Sequence, residues 1–160
     1  MAQSVQGSVD ALYTAAQSIF SGQTAQDGSP VLVSLGPPSS YQPQVIVAVA
    51  VDVRQTKTRP TMGQGRSRET LAEVDTIVSV YVPGGDEVQQ TAIDKCVAMC
   101  DLLEAYSRTS PNETLGGACR DNWVSGIAGP KPDVFTDPSS GAAMGRVAEA
   151  IVTTTVFIRY

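Results

Sequence analysis

The chain contains no histidine. That removes the side chain most often used as a general base, and with it the usual base of serine and cysteine triads. Cysteine is scarce, with Cys96, Cys100 and Cys119 alone. Cys96 and Cys100 are four apart and share one face if that stretch is helical. Without a histidine partner the three thiols match no familiar zinc spacing, so they read as small buried side chains, and no metal or cofactor is expected. No run approaches the ~20 apolar residues that span a bilayer. The first residues, MAQSVQGSVDALYTAAQ, offer neither a basic n-region nor a continuous apolar block. No signal peptide and no membrane partner are therefore expected, and synthesis in a cytoplasm is. Positive charge is also short: eleven Lys and Arg face sixteen Asp and Glu, a net charge of -5. Such a surface does not favour general nucleic-acid binding.

What is present is ordinary for a globular domain. The 160 residues are 42% hydrophobic, enough for one domain with a sizeable core and too apolar for disorder. Asp and Glu are scattered through helix ends and loops, with no coherent acid–base pair, so an enzyme is not expected. The glycines of MGQGRS, Gly63 and Gly65, lack the spacing and the Gly-Lys of a phosphate loop. Gly84 and Gly85 precede a helix but are followed by Asp86 and Glu87, where an anion would sit; a tight turn explains them.

Val9, Leu12, Tyr13, Ala16 and Ile19 recur at helical spacing and predict a helix over Ser8 to Phe20, with Ser8 as N-cap. A short strand follows over Val31 to Leu35. The run QVIVAVAVDV predicts a central strand over Gln44 to Val53. LAEVDTIVSVYV predicts another over Leu71 to Val82, with Val74, Val78, Val80 and Val82 on one face and Asp75, Ile77, Ser79 and Tyr81 on the other. A second helix runs from Asp86 to about Tyr106, packing through Val88, Ala92, Cys96, Met99, Leu103 and Tyr106. The next stretch is turn-rich, with a helical turn near Asn112 to Leu115 and a strand near Arg120 to Ile127. Val147 to Tyr160 is a long final strand. The expected fold is α/β in composition and α+β in arrangement. Two amphipathic helices cover one face of a mostly antiparallel sheet of four to five strands, in a single domain over residues 1–160.

Two features invite contact with a partner. Arg54, Lys57, Arg59, Arg66 and Arg68 crowd into one stretch without a carboxylate, and residues 54–70 predict a flexible basic arm at the tip of a long hairpin. Loops of that length tend to be functional or disordered. The arm has no aromatic residue to stack on bases and no helical pattern for a major groove, which favours an acidic protein surface or a neighbouring copy over DNA. Trp123, the single tryptophan, follows a Gly pair and is either a core or edge aromatic or a partner anchor.

The whole layout resembles the tail terminator, or tail completion, family of long-tailed bacteriophages of the siphovirus type. The likeness rests on the helix SVDALYTAAQSIF, the strands QVIVAVAVDV and LAEVDTIVSVYV joined by a polar loop, the helix DEVQQTAIDKCVAMCDLLEAY, the segment LGGACRDNWVSG and the strand GRVAEAIVTTTVFIRY. It covers nearly the whole chain as an order of elements rather than as one motif. It implies a structural virion protein, assembled in the host cytoplasm, that forms a ring, commonly a hexamer, on the head-proximal end of the tail. Its implied partners are further copies of itself, the major tail tube protein and a head-completion or stopper protein, with DNA passing through the lumen. The alternatives are a head-tail connector or stopper, and a nucleic-acid-binding accessory domain that uses the basic arm. The strands also carry more β-branched surface than two helices can cover, which points the same way, toward closure of subunits into a symmetric ring.

Overall fold

The computed structural model describes residues 3–39, 44–58 and 69–159. Its elements are a helix α1 (Val5–Phe20), strands β1 (Leu32–Leu35), β2 (Val45–Thr58) and β3 (Glu69–Pro83), a helix α2 (Gln89–Arg108), and strands β4 (Asp121–Thr136) and β5 (Ala143–Arg159). The strands form one sheet in the order β1-β2-β3-β5-β4. Only β1 and β2 are parallel; the other three pairs are antiparallel. Both helices pack on the same side, as the sequence predicts.

Helix α1 starts one turn earlier than expected. Its N-cap is Ser4, whose Oγ accepts from the Gly7 amide at 2.9 Å. Ser8 lies inside the helix and is buried, and its hydroxyl donates to the Ser4 and Ala118 carbonyls. An unbranched polar residue that finds acceptors inside the fold does not have to end the helix. At the other helix, Asp86 to Val88 form a 3-10 turn ahead of α2. The face named from the sequence is the packed one: Ala92, Cys96 and Met99 are fully buried.

The core forms two adjoining clusters under the helices. The larger gathers Phe20, Val47, Val80, Met99 and Val152; the smaller gathers Val9, Val74, Leu115, Cys119 and Ile158. They meet at Ala50, which packs against both. There β2 carries two extra residues between the Ala48–Ile77 and Asp52–Asp75 pairs, with Ala50 at φ 58°. The bulge restores the side-chain alternation so that Val53 again faces the helices opposite Val74, which an uninterrupted apolar run cannot reveal. All three cysteines are free and buried. Burial pushes the Cys119 thiol up to about 11, so it is protonated at neutral pH.

β2 continues five residues past its predicted end at Val53, and β3 begins two residues before its predicted start. Thr56, Lys57 and Thr58 pair with Leu71, Thr70 and Glu69, so Arg54 and Lys57 belong to a strand and not to a loose arm. The segment left between the strands is residues 59–68, and Arg59, Arg66 and Arg68 lie outside the described residues. β4 also outruns its prediction, reaching Thr136 through Gly129, Pro130 and Pro132. Prolines are tolerated because β4 is an edge strand with several register irregularities. β4 is blunted as an edge by its prolines and bulges; on the other side β1 covers only Ile46 to Val49 of β2, so β2 from Ala50 to Thr58 is itself an edge, one that carries Asp52, Arg54 and Lys57.

Candidate functional site

Neither helix covers the second face of the sheet. Alternation along β3 and β5 sends Asp75, Ile77, Ser79, Glu149, Ile151 and Thr153 to this side, and none of them is fully buried. Trp123 stands here too, opposite Thr155, with 42% of its surface exposed. Phe135 is 49% exposed and packs edge-on against Tyr81, ring centroids 5.5 Å apart. Tyr81 in turn lies over Gly145, where a Cβ would meet the ring at 2.4 Å. A glycine there is what lets the Tyr81 ring lie close over the strand.

Arg54 is the organising charge of this face. Its Nη1 donates to Asp52 and to Asp75, each at 2.7 Å, its Nη2 to Asp75 at 3.1 Å, and its Nε to Glu73 at 3.3 Å. Thr153 donates its hydroxyl to Asp75 at 2.7 Å. The cluster follows from register: Arg54 stands opposite Glu73, and Asp52 opposite Asp75, so residues two apart on each strand meet across the pair. The Arg54 guanidinium, with the Thr153 hydroxyl, holds the Asp75 carboxyl below the usual carboxylate range despite partial burial. Three carboxylates on one guanidinium leave the patch negative.

Asp75 therefore ties stability to pH. A folded-state pKa below the unfolded one contributes stability that is complete above the unfolded value and is lost as pH falls through the folded value. Asp75→Asn is expected to lower Tm at pH 7 by about 2–4 °C, the shift of ~1 kcal/mol in a domain of this size. The difference from the parent protein is expected to persist down to about pH 4, the ordinary carboxylate range, and to shrink below it. Thermal melts of both proteins from pH 7 to pH 2 read this; parallel curves throughout would show that Asp75 is not held ionised by Arg54.

Two cavities among the described residues are small. The space between α1, α2 and the sheet, lined by Leu12, Thr76, Tyr106, Asn122 and Thr154, holds about 20 Å³, room for about one water. Another, beside Thr24, Tyr81 and Lys95, holds about 120 Å³. Small-molecule sites run to roughly 300–1,000 Å³. Among the described residues no group of three or more His, Cys, Asp or Glu is placed to hold a metal ion, and no helix is long and apolar enough to cross a membrane. The Gly84–Gly85 turn is closed by its own acid, since Glu87 Oε1 accepts from the Gly85 amide at 3.0 Å. No protein-family model matches the chain and no curated protein matches it, so the geometry has to carry the functional reading.

Of the residues singled out in the sequence, Arg54 and Trp123 share the open face, on rows joined through Glu73 and Thr155. Lys57 is exposed on β2 opposite Thr70, on the helix side. The sequence alone does not mark Asp52, Glu73 and Asp75 as a unit. Their signal was available, two acids spaced by two in EVD and one in DVR, but it acquires meaning only once the hairpin register is known.

Proposed function

We propose that the protein is a structural subunit of a phage tail terminator, assembling with further copies into a ring on the head-proximal end of the tail tube. The uncovered sheet face carries the reading. A broad face with an exposed tryptophan and phenylalanine and a net negative charge is suited to burial against protein. It lies on the same molecule as a basic segment of opposite sign. Charges on the free part of β2 and prolines in β4 disfavour strand pairing at the two edges, so the contact that makes a ring is face against neighbour rather than strand against strand. The small cavities and the absence of histidine support a structural role over a catalytic one. Ring partners would be other copies, the tube protein and a head-completion protein; a virion location follows from the same reading.

A nucleic-acid role draws less support. Arg54 is spent on three carboxylates of its own sheet, and the face around it repels phosphate.

The test is direct. Averaged images of tails assembled with this protein are expected to show a closed ring of it at the head-proximal end, and tails assembled without it are expected to lack the ring and to vary in length. Tails of uniform length without the protein would remove the terminator reading, and its location at the neck but on the head side would make it a connector or stopper.

A further inference from the structure

We infer that the open sheet face of one copy is the docking surface for the basic segment between β2 and β3 of a second copy. The observation is charge complementarity on one chain. On the face, seven carboxylates, Asp52, Glu69, Glu73, Asp75, Asp121, Asp133 and Glu149, outnumber Arg54, Lys131 and Arg159. The intervening segment, RPTMGQGRSR at residues 59–68, contributes Arg59, Arg66 and Arg68 and no carboxylate. Exposed aromatics on the same face suit arginine as the docking cation, because a guanidinium stacks on a ring as well as pairing with a carboxylate.

Reach decides between the same copy and another. Ten residues with both ends anchored at Thr58 and Glu69 extend at most five residues outward and back, ~17 Å. Antiparallel strands rise ~3.4 Å per residue. Asp75, six residues along β3 from Glu69, is therefore ~20 Å from the anchor, and Glu149, opposite Ser79, ~34 Å. With an arginine side chain added, the segment of the same chain can approach Glu73 and Asp75 but falls well short of Glu149 and of Asp133, which lies farther still along the face, whereas a neighbour can lay its segment anywhere on it. Face and segment are different surfaces, so each copy can give one contact and receive one, which is the head-to-tail arrangement of a closed ring. The inference rests on the ring reading for the presence of neighbours but fails separately from it.

Trp123 supplies the readout, as the single tryptophan of the chain on the surface to be covered. Full-length protein is followed by sedimentation velocity and by Trp123 emission over a concentration series, at ~0.05 and ~0.5 M salt, since screening between exposed charges is much stronger at the higher value. Self-association with a concentration-dependent change in emission is expected, weaker at high salt. Arg59→Glu, Arg66→Glu and Arg68→Glu in one chain are expected to weaken it at least tenfold. Asp52→Asn, Glu73→Gln and Glu149→Gln are expected to do the same. A chain that combines the reversed segment with Glu73→Lys, Asp133→Lys and Glu149→Lys is expected to regain association. Should Arg54 need its partners for folding, Asp133→Asn with Glu149→Gln leaves that cluster intact and is expected to weaken association in the same direction. Absence of self-association, equal association in parent and variants, or an emission change independent of concentration overturns the inference. Normal rings on tails assembled with the face variants would overturn it too, and would leave the terminator reading standing.

Discussion

Arg59→Ala, Arg66→Ala and Arg68→Ala, combined in one chain, are expected to abolish the capture of tail tubes while the fold persists. Surface substitutions usually change stability by no more than about 0.5 kcal/mol, and a segment whose only large apolar residue is Met62 has little to bury. On the proposed ring reading the functional loss is large, because the same contact would repeat around the ring. Weakening each of several equivalent interfaces multiplies, as multivalent contacts do. The expected phenotype is tubes of uncontrolled length, or tails that fail to join heads, from protein that purifies and melts normally. The same variant separates protein docking from a phosphate clamp. If Lys57, Arg59, Arg66 and Arg68 held DNA, log affinity against log salt would have a slope of roughly -4, and the triple change would flatten it by about three. Normal tail capture together with normal salt dependence would reduce the segment to a solvated loop.

Met99→Ala is expected to be the most destabilising single change to the core. Met99 is 1% exposed and sits in the larger cluster, on the face of α2 that meets the sheet. Truncation removes three heavy atoms and leaves a cavity that the flanking β-branched residues cannot easily fill, since their χ1 angles are restricted. Large-to-alanine changes at such sites cost about 2–5 kcal/mol, which lowers Tm by roughly 6–15 °C in a domain of this size. Denaturant unfolding should show a lower midpoint with an unchanged slope. A cost below about 1 kcal/mol would mean that α2 settles onto the sheet and closes the gap.

Much of this architecture could be read along the chain because its periodicities are clean. Val74, Val78, Val80 and Val82 alternate without a break, and the structure buries every one of them. Ala92, Cys96 and Met99 mark the packed face of α2 for the same reason. The predicted strand ends failed where strand formation owes nothing to burial. Gln55, Thr56 and Lys57 are polar and exposed, so no hydrophobic pattern announces them; they are strand because β3 offers a ladder to pair with. β4 was cut short at Ile127 because Gly129, Pro130 and Pro132 read as turn signals, and only an edge position lets a strand run through them. The site divided along the same line. Arg54 and Trp123 stand out by residue type, whereas the acids around Arg54 come together through a register displaced by two residues at Ala50.

That displacement also determines where the molecule yields. The ladder between β2 and β3 is interrupted where the two core clusters touch, and β2 carries two extra residues there. β3 and β5 pass the same level with continuous pairing from Glu69 to Pro83. The sheet thus has a stiff spine in β3 and β5. The β3 half of the hairpin belongs to that spine, Glu69 to Glu73 pairing with Arg159 to Thr155, so only the β2 half beyond Ala50 can shift at the joint. Because Ala50 at the joint packs against both core clusters, any movement of β2 there is felt in the apolar packing on either side of it, and the bulge couples the polar end of β2 to the whole core.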